Sequence, residues 1–320
     1  MKLVRLIFGT WIAIFLFAST AGAAWPEKPI KLIVPYPPGG LTDAVARQVG
    51  AALAERLKQP VVIENIAGGG GNIGADRAAK SPADGYTLYI GNNATVGLNT
   101  LVYKQLSFNP LKELAPVSIV AESQTVLVVH PSVPAKSVAE LVALAKAKPG
   151  TLNFGSTGAG GLSHLVGELL KSSTGTQMTH IAYKGTGPAT NDLLGGQIQL
   201  MFNDLSAPHV KAEKLRALAV TGTKRWADLP GVPTMAELGM PGYETYNWFG
   251  LFVPAGTSPP TINQLNRELV AAMKEPAMQA WMQARGAEAV SSSPEAFAEY
   301  IRKDVDKWAR VLKAINFTPE

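Results

Sequence analysis

The sequence predicts an α/β protein of two lobes, each with a mixed, mostly parallel sheet, and a helical C-terminal tail. Short β-rich runs alternate with segments of helical period, as where Ile30–Val34 precedes an apolar series from Val45 to Leu57. Two nearly equal stretches, 39–45 and 160–166, each follow an apolar run and open a helical pattern. This repeated order of strand, glycine turn and helix predicts one such unit in each lobe.

The first 23 residues have the order of a secretory signal peptide. Lys2 and Arg5 precede an apolar run from Leu6 to Ala18, and the small residues 21–24 follow it. The run is too short to favour a permanent span of about 20 residues. We therefore expect residues 1–23 to be removed and the folded protein to lie in the periplasm, with an uncleaved anchor as the alternative.

The remaining chain is expected to cross twice between the lobes. A β-rich run at 125–129 is the outward crossing, and the aromatic segment 247–254, after a proline-rich stretch, is the return. Lobe 1 is then 24–123 plus 242–320, and lobe 2 is 124–241. Residues from 261 onward are helical and are expected to pack on lobe 1, whereas a single large doubly wound domain is the alternative layout. The other predicted strands are 30–34, 61–64, 87–90, 152–154, 197–202 and 215–220.

The composition argues against several classes of protein. Cysteine is absent, so neither a disulfide nor a lipid-attached cysteine is expected. The formal net charge of +5 is mild and its basic residues are scattered, which does not favour nucleic-acid binding. Without cysteine or paired histidines, a metal site is not expected, and neither is a cofactor. Gly69, Gly71 and Gly74 match the dinucleotide fingerprint only weakly, because no acidic residue follows the next strand to hold a ribose.

The first glycine turn, residues 35–42, is predicted to bind an anion. Its three prolines lack donors, so the first free amides are those of Gly39, Gly40, Leu41 and Thr42, where a helix begins. Such amides and the helix dipole favour negative charge. Asp43 is expected to be structural, because a carboxylate aimed at an anion site would repel the ligand.

The second glycine turn, residues 155–161, offers the hydroxyls of Ser156 and Thr157 together with backbone amides. Facing the first turn, it would complete a clamp for a carboxylate; the alternative is a turn that only caps the next helix. His164 occupies the position equivalent to Asp43, which suggests local capping. Ser156 is also the candidate nucleophile of an exported serine hydrolase, although the sequence lacks the Gly-x-Ser-x-Gly elbow and an evident orienting acid.

Motifs along the whole mature chain resemble the Bug family, the solute-binding receptors of tripartite tricarboxylate transporters. The resemblance rests on the motifs 35–40, 64–65, 82–87, 153–156, 183–185, 192–197 and 229–234. It implies a type II periplasmic binding protein of Venus-flytrap form, a monomer, that holds a carboxylate between 36–42 and 156–161 and delivers it to membrane subunits. It leaves the ligand open among dicarboxylates, tricarboxylates, amino acids, aromatic acids and some uncharged compounds.

Several further positions join the predicted site. The resemblance implies cleft positions for Asn65, Asn92, Asn203 and Asp204. Trp248 and Phe249 on the return crossing are either hinge packing or an apolar wall of the site. The candidate ligand-binding residues are Tyr36, Gly39, Gly40, Leu41, Thr42, Asn65, Gly68, Asn92, Ser156, Thr157, Gly160, Gly161, Tyr183, Asn203, Asp204 and Trp248. We expect a receptor rather than an enzyme. The alternatives are the hydrolase using Ser156 and a ligand-sensing module for a receptor kinase.

Overall fold

Two β-sheets with helices packed on them form the described part of the computed structural model, residues 25–183, 185–204, 206–240 and 242–319. The predicted signal peptide lies outside these residues. The strands are β1 (Ile30–Val34), β2 (Val61–Asn65), β3 (Thr87–Asn92), β4 (Leu114–Gln124), β5 (Val126–Val129), β6 (Asn153–Ser156), β7 (Thr179–Ala182), β8 (Leu200–Asn203), β9 (Arg216–Val220), β10 (Tyr246–Pro254) and β11 (Glu288–Ala289).

The helices follow the strands in the order expected of α/β layers. They are α1 (Leu41–Leu57), α2 (Asn72–Ala79), α3 (Asn99–Val102), α4 (Pro110–Glu113), α5 (Val138–Ala147), α6 (Leu162–Thr174), α7 (Thr186–Leu194), α8 (Ala207–Lys211), α9 (Pro259–Met273), α10 (Pro276–Gln283) and α11 (Pro294–Ala314). Within the described residues, no helix is both long and apolar enough to cross a bilayer.

Both sheets are mixed, with most strands running one way. The first has the order β11-β4-β10-β3-β1-β2, and β1 is parallel to β2 and β3. Because β10 is antiparallel to both β3 and β4, the strands β1 to β4 share one direction. The second sheet has the order β7-β6-β8-β5-β9, where only β5 opposes the others. The predicted fold class is confirmed, although β4, β7 and β11 had not been predicted as strands.

The chain passes from the first sheet to the second at Thr125, between β4 and β5. The Thr125 amide donates to Thr221 Oγ1 over 3.1 Å, and that hydroxyl donates to the carbonyl of Thr245 over 2.9 Å. Thr245 stands just before β10, which returns to the first sheet. Short buried hydrogen bonds thus tie the outward and return segments together.

The C-terminal helices pack on both sheets. Leu265 of α9 lies in the core of the first sheet, and Phe297 of α11 packs on that sheet's other face. Trp308 and Leu312 of α11 instead belong to the core around Phe154 of the second sheet. The tail therefore packs on the first sheet, and the second half of α11 packs in addition on the core of the second sheet, which the sequence had not indicated.

Candidate functional site

A cleft of about 800 Å³ is lined by residues from both sheets and by both glycine turns. The first turn contributes residues 36–42, and the second contributes 157–159 with 161–163 from the start of α6. The carboxyl ends of β3 and β8 add polar residues, as open α/β sheets do at their ligand sites. The two turns that the sequence singled out therefore meet at one site.

The first turn presents a helix start with unbonded amides. Gly40 precedes α1 in an extended conformation, and no side chain caps it. The amides of Gly40, Leu41 and Thr42 have no acceptor among the described residues. The Gly39 amide was predicted as a further donor, but it already donates to Asp43 Oδ2 over 3.0 Å. The first turn thus offers a ligand the amides after Gly39.

Asp43 holds this turn in place. Its carboxylate accepts from Arg47 Nε over 3.0 Å and from Asn65 Nδ2 over 2.9 Å. Burial of the Asp43 carboxyl opposes ionisation, but these bonds and that from Gly39 outweigh it and hold its pKa below the ordinary value. Asn65 also donates to the carbonyl of Tyr36 over 3.0 Å. Asn65 therefore stabilises the turn through hydrogen bonds and does not line the cleft.

The second turn is stabilised in the same way as the first, by a helix side chain that accepts from a glycine amide. The Gly160 amide donates to His164 Nδ1 over 3.0 Å, just as Gly39 donates to Asp43. The Thr157 amide donates to Ser163 Oγ over 3.0 Å. The amides of Ala159, Leu162, Ser163 and His164 have no acceptor in the described chain, and Ala159, Leu162 and Ser163 line the cleft. The suggested capping role of His164 is confirmed.

Gly160 and Ser156 do not line the cleft. Gly160 has φ +71°, and a Cβ there would lie 2.7 Å from Val102, so the position requires glycine for packing. Ser156 is fully buried at the end of β6, and its hydroxyl donates to the Gly158 carbonyl over 2.9 Å. Neither residue therefore lines the cleft as predicted, because each faces the protein interior.

Ser156 does contact a histidine. His180 Nε2 lies 2.7 Å from Ser156 Oγ, and burial lowers the pKa of His180 to about 4. The His180 ring stacks on His164 at a centroid distance of 3.7 Å, and no described carboxylate forms a hydrogen bond with it. A buried serine without access to the cleft, beside a histidine without an orienting acid, does not form a hydrolytic triad.

A third helix start lines the cleft at α7, through Gly185, Thr186 and Gly187. Tyr183 was predicted to join it, but its hydroxyl donates to Asp192 Oδ2 over 2.8 Å and the ring lies outside the cleft. Lys184 lies outside the described residues.

Among the other predicted residues, Tyr36, Asn92, Asn203 and Asp204 line the cleft. Tyr36 donates to Asn92 Oδ1 over 3.4 Å, and burial raises the pKa of Tyr36 to about 12, so the phenol stays neutral. Asn92 Oδ1 also accepts from the Thr95 amide over 3.0 Å. These bonds fix the orientation of Asn92 at the end of β3.

Gly68 and Trp248 lie outside the cleft, and near neighbours take their places. Gly68 faces Ile73, whereas Gly70 lines the cleft. Trp248 is fully buried and donates from Nε1 to Asp304 Oδ2 over 2.8 Å, so its neighbour Phe249 lines the cleft instead. Successive residues of a strand face opposite sides, which explains this exchange.

Sequence reasoning also missed polar residues of the cleft. Asn93 follows Asn92 directly, so its position at the end of β3 was a usable signal. Tyr103 and Asn247 reach the cleft only through the packing of distant segments, and no local pattern indicates them. No Lys or Arg occurs among the described residues that line the cleft. No metal-binding group of three or more His, Cys, Asp or Glu was found in the described chain.

Two sheets joined by crossing segments, with helix starts around a shared cleft, define a two-lobed solute-binding protein. The chain belongs to the family described as the tripartite tricarboxylate transporter family receptor, TctC, whose profile matches residues 45–317. This confirms the resemblance seen in the sequence. Since members of the family are solute-binding receptors, the chain is a receptor and not an enzyme.

Individual proteins give the same relationship. The chain is similar to Protein BugT of Bordetella pertussis, with 38% identity over 325 residues and 98% of each chain covered. It is similar to the structure of R. palustris Rpa4515 with adipate, at a TM-score of 0.86 and 36% identity over 92% of this chain and 100% of that one. The chain is also similar to the structure of MatC of Rhodopseudomonas palustris with bound malate, at a TM-score of 0.80 and 30% identity over 90% of this chain and 99% of that one.

Proposed function

We propose that the chain is exported to the periplasm, captures a small carboxylate between its lobes as a monomer, and delivers it to the membrane subunits of a tripartite tricarboxylate transporter. The observation that carries this proposal is the pair of helix starts, at Leu41 and Leu162, whose unbonded amides border one cleft. The predicted signal peptide at 1–23 supports export. Adipate and malate, bound to two similar proteins, are both carboxylates and support the ligand class.

Main-chain donors are sufficient for this task. Each hydrogen bond to a charged group contributes roughly 1.5–3 kcal/mol. Four to six such bonds offset the desolvation of a carboxylate and leave about −8 kcal/mol, which corresponds to a micromolar dissociation constant. The helix dipoles of α1 and α6 add to the attraction. The cleft therefore needs no arginine to hold an anion.

Closure of the lobes links capture to delivery. A ligand that contacts both helix starts binds the closed form better, and so shifts the population of the receptor towards it. The closed form presents a composite surface from both lobes, which is suited to recognition by a membrane partner. An empty receptor presents that surface less often and competes weakly for the transporter.

The ligand class is tested by thermal unfolding of the mature protein with a panel of carboxylates of different length, followed by calorimetry. A ligand that binds only the folded protein raises the unfolding temperature, and the rise grows with the logarithm of the ligand concentration above its Kd. Matched amides of the same acids, which lack the negative charge, serve as controls. The proposal predicts stabilisation by at least one acid and none by its amide. Stabilisation by neutral solutes only would contradict the carboxylate clamp.

Delivery is tested separately in cells that lack the gene for this chain. Uptake of the labelled acid found in the binding assay should fall to background and return with the intact gene. A variant without residues 2–23 should bind the acid in vitro but fail to restore uptake, because it is not exported. Normal uptake in cells that lack the gene would contradict the transport role while leaving the binding result unaffected.

A further inference from the structure

Asp204 places a negative charge in a cleft that otherwise suits an anion. It follows Asn203 at the carboxyl end of β8 and lines the cleft together with the α1 start. Among the described lining residues it is the only carboxylate, and neither Lys nor Arg accompanies it. A bound carboxylate near Asp204 would therefore meet a like charge, and the His209 imidazole is the only basic side chain among the described residues that line the cleft.

The surroundings of Asp204 neutralise its charge only in part. Asn247 Nδ2 donates to Asp204 Oδ2 over 3.0 Å, and no ion pair involves Asp204 in the described chain. The nearby Lys211 pairs instead with Asp228 over 2.8 Å. Burial raises the pKa of the Asp204 carboxyl, as expected for a charge that lacks a cation. Asn247 and the backbone amide of Asp204 itself are neutral donors, which stabilise a carboxylate less than a cation would.

Asp204 also lies close to the helix start that is proposed to hold the ligand. A neighbouring cavity of about 580 Å³ is lined by Asp204 and by Gly39, Gly40 and Leu41 of the first turn. The same four residues line the main cleft. A ligand held at the α1 start therefore shares this part of the cleft with Asp204, and Lys211 and Arg285 line the neighbouring cavity beside it.

We infer that the ligand carries a hydrogen-donating substituent, an ammonium or a hydroxyl group, close to the carboxylate bound at the α1 start, and that Asp204 accepts its hydrogen bond. This inference depends on the proposed carboxylate site. A ligand ammonium also cancels the charge of Asp204, so an amino acid should bind better than the matching hydroxy acid. An unsubstituted acid faces the repulsion without compensation and should bind weakest.

The test compares acids that share a carbon chain and differ at one carbon. Suitable sets are succinate, malate and aspartate; glutarate, 2-hydroxyglutarate and glutamate; and propionate, lactate and alanine. Calorimetry with the wild-type protein should show, within each set that binds, at least one substituted acid binding about 10- to 100-fold more tightly than the unsubstituted one. Equal or tighter binding of the unsubstituted acid would overturn the inference.

The variant D204N isolates the charge because Asn has almost the same shape. This variant should bind the preferred substituted acid about 10- to 100-fold more weakly than the wild type and should bind the unsubstituted acid equally well or more tightly. E140Q is the matched control, since it removes a carboxylate on α5 that lines neither cavity. An equal loss for all acids in D204N would overturn the inference, and the wild-type ranking decides if D204N does not fold.

The two levels of proposal fail in different ways. If no carboxylate in any set stabilises or binds the wild-type protein, the proposed function itself is wrong. If carboxylates bind but the substituent and Asp204 have no effect on the ranking, only the role of Asp204 is wrong.

Discussion

Replacing Leu41 by proline tests the main-chain clamp at a single donor. Leu41 is the first residue of α1, where proline is well tolerated because its nitrogen makes no bond within the helix. Gly40 before it is extended, with φ −82° and ψ 172°, as a residue preceding proline must be. L41P therefore removes one N–H from the cleft and leaves the helix intact.

The expected loss follows from that one hydrogen bond. A bond from an amide to a carboxylate contributes roughly 1.5–3 kcal/mol, so L41P should weaken binding about 10- to 150-fold. L41A is the matched control, because it also loses the leucine side chain, which packs on the core of the first sheet, but keeps the amide. Calorimetry on both variants with the acid found in the panel measures the difference. Equal affinities for L41P and L41A would refute main-chain recognition at α1.

Three further predictions concern the support of the site. D43N should lower the free energy of unfolding by about 1.5–3 kcal/mol in denaturant titrations. This difference between variant and wild type should shrink below pH 3.8, because a carboxyl with a lowered pKa stabilises the fold only while it is ionised. Acidification from pH 6.5 to about 4 should lower the free energy of unfolding by about 1–2 kcal/mol through the half-buried His180, because the unfolded chain takes up a proton there that the folded protein excludes. The variant H180N should lack this pH-dependent loss. A pH profile of H180N equal to that of the wild type would contradict the prediction. W248F should lower the free energy of unfolding by about 1–3 kcal/mol, because Asp304 loses its indole donor. The same variant should change the ligand affinity less than threefold, and a large loss of affinity would show that Trp248 contacts the ligand.

The sequence predicted best what depends on local geometry. Prolines before Gly39 and a helical pattern after Leu41 set the position of unbonded amides regardless of the rest of the fold. The same reasoning placed the second turn, and the equivalence of His164 and Asp43 correctly indicated a capping role. These features follow from backbone chemistry within a few residues.

What the sequence could not predict depends on which way a side chain faces. Trp248 and Phe249 are both large and apolar, and only the pairing of β10 decides which of them lines the cleft. The contact between Ser156 and His180 arises from the pairing of β6 with β7, a strand that sequence patterns did not indicate. The occupied amides of Gly39 and Gly160 were missed because each acceptor lies four residues ahead on the helix.

The placement of α11 limits how the receptor can open. Phe297 is anchored in one core and Trp308 in the other, and both are almost completely buried. Exposing an aromatic side chain of this kind would cost roughly 4–6 kcal/mol, so the helix stays seated in both lobes while they move. No α11 residue lines the cleft. We therefore expect α11 to remain fixed at one side of the cleft and solute to enter and leave at the side away from this helix.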